Sequence, residues 1–238
     1  MDKVFLIIIL VVYCPAALWL FLYGMNSYYM IYLFFRKYKQ ERSHNKEFLD
    51  KFWTTFNRQQ LPKVTTQLPV YNERNVVERL IRAVVHIDYP KELHEIQLLD
   101  DSNDETRVII AELVDTYKAK GFNIKHIVRE NRNGFKAGAL NVGLKEAEGE
   151  FLAIFDADFI PQKDFLLRTI PFFYEKEKVA LVQTRWGHIN RNYSLLTIAQ
   201  SLGMDGHFII EQGARSWNGL YMNFNGTAGI WSKEAIVD

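Results

Sequence analysis

The chain has 238 residues, of which 48% are hydrophobic, and its 29 Lys and Arg residues nearly balance 28 Asp and Glu residues. This length suits one folded domain with an accessory segment, and a net charge of +1 provides no general attraction for nucleic acid. Residues 1–35, however, contain only two charged side chains, Asp2 and Lys3, and 10 of the 34 aromatic residues. This uneven distribution excludes an average soluble globule.

The first predicted element is a membrane-spanning helix within residues 1–35. From Val4 to Tyr23 every side chain except Pro15 is apolar or aromatic, and a helix of that length spans about 30 Å, the thickness of a bilayer core. A basic cluster begins at Arg36, which predicts an N-terminus outside and a cytosolic remainder. A cleaved signal peptide is the alternative, but its apolar stretch is usually only about 7–15 residues long.

Residues 36–60 are polar and charged and are predicted to form a short amphipathic connector. From residue 61 to 238, short apolar runs alternate with helical patterns, which predicts an α/β domain with a mostly parallel sheet. The predicted strands are Lys63–Pro69, Ile96–Leu99, Ile124–Val128, Phe151–Phe155 and Ala180–Gln183. The predicted helices are Asn75–Val85, Glu105–Ala119, Phe135–Ala147, Lys163–Tyr174 and Leu195–Glu211, followed by Ser232–Val237.

Polar sequence follows four of the predicted strands, at the edge of a parallel sheet where ligands usually bind. Asp156 and Asp158 close one strand, and in an extended chain both side chains would face the same way. Two neighbouring carboxylates repel one another unless a cation intervenes, so the pair predicts a Mg²⁺ or Mn²⁺ site. The other polar stretches are Tyr71-Asn72-Glu73, Asp100-Asp101-Ser102 and Arg129-Glu130-Asn131-Arg132.

The remaining motifs leave alternatives open. Asp100 and Asp101 could accept hydrogen bonds from a base or ribose, or could form a turn that caps the next helix. Lys136 lies at a predicted helix start, where free N–H groups favour anions, although a solvated lysine is the plainer reading. The sequence has no G-x-G-x-x-G or complete Walker A motif, and its six histidines show no paired metal-ligand spacing.

Six ordered motifs resemble family 2 glycosyltransferases, which adopt the GT-A fold. The resemblance covers roughly residues 60–238 and is strongest to the cellulose-synthase-like group that makes β-1,4-mannan or glucomannan. The motifs are VYNE (70–73), LLDDS (98–102), NGFKAGALN (133–141), FDAD (155–158), VQTRWGHINR (182–191) and MNFNGTAGIW (222–231).

The resemblance implies a role for each motif residue. Tyr71, Glu73 and either Asp100 or Asp101 would bind the nucleotide of a nucleotide-diphosphate sugar, with Lys136 near the diphosphate. Asp156 and Asp158 would bind the divalent cation. The residues implied for the acceptor sugar are Arg185, Trp186, Asn225, Gly226 and Thr227.

In this family the general base is an aspartate of a Thr-Glu-Asp motif, which we expect beyond Asp238, together with a Gln-x-x-Arg-Trp motif. The domain at 61–238 is therefore expected to be incomplete at its C-terminus. The leading hypothesis is a membrane-bound inverting glycosyltransferase that extends a β-1,4-linked polysaccharide from GDP-mannose, GDP-glucose or UDP-glucose. The alternatives are a nucleotide-sugar-binding fragment without turnover and a transferase that adds single sugars to a lipid or protein.

Overall fold

The computed structural model describes residues 3–176 and 178–237. The chain forms two compact units, which are described separately below. The first unit contains residues 1–48 and 185–223, and the second contains residues 49–184 and 224–238.

A single long helix, α1, runs from Lys3 to Thr55 and is followed by a 3-10 turn at Arg58–Gln60. The sequence predicted a membrane helix and a separate connector, whereas the structure joins them without a break. The large apolar side chains between Ile7 and Tyr29 are exposed, and by length and composition this helix could cross a membrane. Such a helix suggests a membrane anchor at the N-terminal end of the chain.

The first unit is held together by aromatic packing against α1. Helix α6 (Leu195–Asp205) continues through a π-helical turn (Gly206–Glu211) into α7 (Gln212–Trp217), so the predicted helix 195–211 extends to Trp217. The ring of Trp217 stacks on Phe34 with 5.4 Å between centroids, and its backbone carbonyl accepts a 2.7 Å hydrogen bond from Lys37 Nζ. These contacts fix α7 alongside α1.

The second unit contains a six-stranded sheet with the order β3-β2-β1-β4-β6-β5. Strands β1 to β4 are parallel, and β6 pairs antiparallel with both β4 and β5. The strands are β1 (Val64–Val70), β2 (His94–Asp100), β3 (Asn123–Val128), β4 (Phe151–Ile154), β5 (Leu181–Gln183) and β6 (Gly229–Ser232).

Helices α2 to α4 connect the parallel strands in sequence. From β1 the chain adds β2 and then β3 on one side of the sheet. It then returns through α4 and adds β4 on the other side of β1, so the direction in which strands are added reverses between β1 and β4. In open α/β sheets, such a reversal marks the usual position of a ligand. The remaining segments are α2 (Val77–Val85), α3 (Thr106–Ala119), α4 (Phe135–Glu146), α5 (Phe165–Thr169) and α8 (Glu234–Val237), with 3-10 turns at Lys91–Leu93 and Ile170–Tyr174.

The structure confirms the predicted α/β class and all five predicted strands, but it adds the unpredicted strand β6. The sequence signal for β6 is weak, because the strand has four residues and begins with Gly229. Its pairing accounts for the strand: Gly229 and Ile230 are buried, and Ile230 pairs with Ala153 on one side and Val182 on the other.

A ladder of buried polar side chains joins the neighbouring strands β1 and β2. Thr66 Oγ1 lies 2.8 Å from His94 Nε2, and Gln67 Nε2 donates a 3.1 Å hydrogen bond to Gln97 Oε1. Burial lowers the pKa of His94 to about 4, so its imidazole is neutral near pH 7. Because buried polar groups are costly when unpaired, each rung favours one alignment of β1 and β2.

Helix α4 lies close to this ladder at a glycine. A Cβ atom on Gly143 would come within 2.6 Å of Gln67 Nε2 and 2.7 Å of Gln97 Oε1, closer than normal contacts allow. The two amides are already hydrogen-bonded to each other and are buried, so they have little room to move. Glycine at this position therefore permits close packing of α4 on the sheet.

We predict that Gly143→Ala lowers the thermal stability of the chain in detergent. Helix propensity alone would favour alanine by about 1 kcal/mol, but overpacking against Gln67 and Gln97 costs about 1–3 kcal/mol, so the net effect is a loss. The matched control is Gly203→Ala in α6, where a Cβ atom meets nothing within 4 Å. A higher melting temperature for Gly143→Ala than for Gly203→Ala would contradict the packing argument.

Candidate functional site

The ends of β1 and β2 place two of the predicted nucleotide-binding residues side by side. Val70 pairs with Asp100, and Asp101 N donates a 3.0 Å hydrogen bond to the Val70 carbonyl. Tyr71 and Asp101 therefore leave the sheet at the same level, on the edge formed by the carboxyl ends of the parallel strands. This is the edge at which the sequence predicted a ligand.

A cavity of about 480 Å³ opens at this edge, within the size range of ligand pockets. Tyr71 and Asp101 line it, whereas Glu73, Asp100 and Lys136 do not. The full lining comprises Tyr71, Asp101, Ser102, Asn103, Arg107, Val128, Arg129, Glu130, Asn131 and Arg132.

Asp100 is fully buried and is committed to internal hydrogen bonds. Its carboxylate accepts from Ser102 N at 2.8 Å and lies 2.8 Å from His126 Nε2. Burial alone would raise the pKa of Asp100, but the hydrogen bonds from His126 and Ser102 outweigh it and leave the pKa below its ordinary value. Of the two aspartates left open by the sequence, Asp101 is thus the one that faces the cavity.

Asp101 forms an ion pair with Arg129, a residue to which the sequence assigned no role. Arg129 Nε donates to Asp101 at 2.6 Å, and its terminal nitrogens donate to the carbonyls of Asn133 and Phe135 at 2.9 and 3.0 Å. One guanidinium therefore ties the end of β2 to the loop that precedes α4. The hydrogen bond that Arg129 donates to the Asp101 carboxylate raises the pKa of Arg129, which keeps it charged.

Lys136 connects three parts of the second unit. Its ammonium group forms an ion pair with Asp156, at the end of β4, and donates a 2.8 Å hydrogen bond to the carbonyl of Gly226. The backbone N–H of Asp156 in turn donates to the hydroxyl of buried Thr227 at 2.9 Å. Lys136 is consequently held beside Asp156 and is not a freely solvated side chain.

Asp156 and Asp158 do not lie on an extended strand as the sequence argument assumed. Strand β4 ends at Ile154, and residues 156–159 form a turn closed by a 3.0 Å hydrogen bond from Phe159 N to the Asp156 carbonyl. Cross-strand hydrogen bonds continue only as far as Phe155, whose N–H donates to the Gln67 carbonyl, and the chain turns before the two aspartates could extend the strand. Asp158 is exposed at this turn.

The acidic residues here are electrostatically coupled. Partial desolvation, followed by repulsion from Asp158, raises the pKa of Glu73, with smaller contributions from Asp104 and Asp156. Carboxylates that repel one another suit a hard divalent cation. Within residues 3–176 and 178–237 no three acidic, histidine or cysteine side chains form a metal-binding group. A Mg²⁺ or Mn²⁺ ion at this edge would therefore need further ligands, such as substrate phosphates, beside one or two of these carboxylates.

The residues predicted to contact the acceptor are divided between the two units. Arg185 and Trp186 belong to the first unit, where the indole of Trp186 packs on Phe208 with 4.7 Å between ring centroids. Asn225 belongs to the second unit, where its backbone N–H donates to the Gln183 side chain at 3.0 Å. The other two, Gly226 and Thr227, are engaged with Lys136 and Asp156 as described above.

Three functional candidates were missed by sequence reasoning: Arg129, Arg132 and His126. The first two lie in the polar stretch after β3, which was recognised as unusual but given no chemistry. His126 was set aside because it has no metal-ligand partner in the sequence, yet it binds Asp100 across two paired strands. A prediction of how β2 and β3 pair would have placed His126 next to Asp100 and could have identified it.

Comparison with known proteins identifies relatives for most of the chain. The profile of glycosyl transferase family 2 matches residues 67–226. Probable glucomannan 4-beta-mannosyltransferase 11 of Oryza sativa subsp. japonica is 47% identical over 184 residues, covering 74% of this chain and 32% of the relative. Glucomannan 4-beta-mannosyltransferase 2 of Arabidopsis thaliana is 42% identical over 205 residues, covering 84% of this chain and 37% of the relative.

The chain thus spans about a third of the length of these curated relatives. Among solved structures, it is similar to a mannosyltransferase from Pyrobaculum calidifontis in complex with GDP-Man and Mn²⁺. That similarity has a TM-score of 0.58 at 22% identity and covers 87% of this chain and 56% of the other. It supports the predicted GT-A fold.

Proposed function

Because the chain belongs to glycosyl transferase family 2, we propose that it carries the donor site of a membrane-anchored glycosyltransferase. One observation carries the proposal: Tyr71, Asp101 and the Lys136–Asp156 pair lie along one edge of a single sheet. This edge can bind the two ends of a nucleotide-diphosphate sugar, with the base near Tyr71 and the diphosphate near Lys136.

The proposed chemistry follows from the charges at the phosphate end. Transfer of a sugar breaks the bond between its anomeric carbon and the donor diphosphate, which leaves as an anion. Lys136 is positioned to stabilise that developing charge, because its ammonium group is already held at the end of β4. A divalent cation bound by Asp156 and Asp158, with Glu73 nearby, would neutralise further diphosphate charge.

By analogy with the relatives, we propose that the whole protein transfers mannose or glucose with inversion onto a growing β-1,4-linked polysaccharide. The names of the plant relatives, glucomannan 4-beta-mannosyltransferases, support this choice of product. The archaeal structure contains GDP-Man and Mn²⁺, which supports a nucleotide sugar and a divalent cation as ligands. The acceptor residues implied by the resemblance, Arg185, Trp186, Asn225, Gly226 and Thr227, remain a prediction.

We also propose that α1 anchors the chain with its N-terminus outside and the second unit in the cytosol. The support is the basic cluster that follows the apolar part of the helix, beginning at Arg36 and Lys37.

The first test measures donor binding. Purified chain in detergent is expected to bind GDP or UDP more tightly when Mn²⁺ is present, as followed by calorimetry. Lys136→Gln should weaken this binding about tenfold, because it removes a charge-assisted contact to the diphosphate. Asp158→Asn should remove most of the Mn²⁺ dependence.

The matched control for Lys136→Gln is Lys145→Gln, an exposed lysine near the other end of the same helix. Equal effects of the two lysine variants would refute a local role for Lys136. Unchanged Mn²⁺ dependence in Asp158→Asn would refute the proposed metal ligand.

The second test follows transfer itself. Membranes that contain the protein are expected to move labelled mannose or glucose from GDP- or UDP-sugars to a β-1,4-linked oligosaccharide when Mn²⁺ or Mg²⁺ is added. Asp156→Asn/Asp158→Asn should abolish transfer. Product length on a gel separates a polymerase from a single-sugar transferase, and donor binding without any transfer would support a binding module instead.

The third test determines orientation. In sealed microsomes with their cytosolic face outward, protease is expected to digest the sheet-containing unit and to spare a tag at the N-terminus. Protection of the sheet-containing unit from protease would show the opposite topology. If carbonate washing released all of the protein from the membranes together with their soluble contents, α1 would not be an anchor.

A further inference from the structure

The side chain of Arg132 occupies an unusual position at the base end of the cavity. Its guanidinium carbon lies 3.3 Å from the ring centroid of Tyr71 and 5.2 Å from that of Phe135. Both Arg132 and Tyr71 line the cavity. Within residues 3–176 and 178–237, the guanidinium contacts these two rings and has no hydrogen-bond acceptor.

The short distance fixes the orientation of the guanidinium. At 3.3 Å from the centroid, an edge-on guanidinium would drive its nitrogen atoms into the ring of Tyr71, so the group must lie flat on it. All five N–H donors lie in the guanidinium plane. They are therefore directed sideways, parallel to the ring, and not into its face.

Two other cations nearby are committed to protein groups. Arg129 is bound to Asp101 and to two loop carbonyls, and Lys136 is bound to Asp156 and Gly226. Arg107 lies 3.7 Å from the buried carboxylate of Asp100. At that distance Arg107 makes no hydrogen bond, so both Arg107 and Arg132 keep donors available to a ligand; within the described residues, Arg132 is the one of the two that lies on Tyr71.

We propose that Arg132 reads the base of the donor nucleotide and favours guanine. A base that enters the cavity at the edge of the guanidinium, in the plane of its N–H groups, would present its own edge to these donors. Guanine has two adjacent acceptors, O6 and N7, on one edge, which a guanidinium binds with two hydrogen bonds. The acceptors O2 and O4 of uracil are separated by the N3–H donor, so uracil offers one acceptor at a time.

The charge layout supports a role at the base and not at the diphosphate. Lys136 and Asp156 mark the phosphate end, and neither residue lines the cavity that contains Arg132. The inference rests on the proposed donor site and adds to it a residue that determines which nucleotide base is bound.

The test compares four nucleotides on the full chain in detergent with Mn²⁺: GDP, IDP, 7-deaza-GDP and UDP. GDP and IDP share O6 and N7, so they should bind equally and about tenfold more tightly than 7-deaza-GDP and UDP. Arg132→Lys keeps the positive charge but removes the planar guanidinium with its paired N–H donors, so the ratio of GDP affinity to UDP affinity should fall towards one. The matched control is Arg74→Lys, whose arginine is exposed, pairs with Glu105 at 3.2 Å and does not line the cavity.

Equal binding of GDP and 7-deaza-GDP, or a GDP preference that survives in Arg132→Lys, would overturn the inference while leaving the donor site intact. Tighter binding of both GDP and UDP to Arg132→Gln would also overturn it, since the guanidinium would then compete with the base for Tyr71. If neither GDP nor UDP bound to the unaltered chain, the proposed donor site itself would fail, and the inference with it.

Discussion

The arrangement of the donor edge depends on how the start of α4 is attached to the sheet. Arg129 and Lys136 attach it on two sides, through Asp101 at the end of β2 and Asp156 at the end of β4. Each pair couples a carboxylate to a cation that also binds backbone carbonyls, so the loops are held by charge-assisted hydrogen bonds. The edge is consequently held in place by the protein's own groups, which lowers the ordering cost of binding.

The loop between these cations is held in an uncommon backbone conformation. Gly134 and Phe135 have φ values of 72° and 48°, both in the left-handed region. Glycine adopts such values readily, whereas phenylalanine does so at a cost, which the hydrogen bond from Arg129 to the Phe135 carbonyl helps to offset. On either side of this turn, Arg132 lies over Tyr71 and Lys136 reaches Asp156 at the end of β4.

Much of this architecture was predictable from residue patterns. The apolar run before Asp156 and that before Asp100 indicated buried parallel strands, and polar residues at their ends indicated the ligand edge. The partners of those residues were not predictable, because a contact such as Asp100 with His126 depends on strand register and not on spacing along the chain. Likewise, β6 is too short for its periodicity to be recognised, and only pairing with β4 and β5 stabilises it.

The buried polar ladder between β1 and β2 has a consequence for the accuracy of folding. Two buried strands made only of apolar residues could slide past one another with little penalty, whereas here a slip of one residue would separate Gln67 from Gln97 and Thr66 from His94. Such a slip would also move the end of β1 by about 3.3 Å relative to β2. The ladder lies in the interior of the sheet, yet by fixing the register of β1 and β2 it determines that Tyr71 and Asp101 leave the sheet side by side.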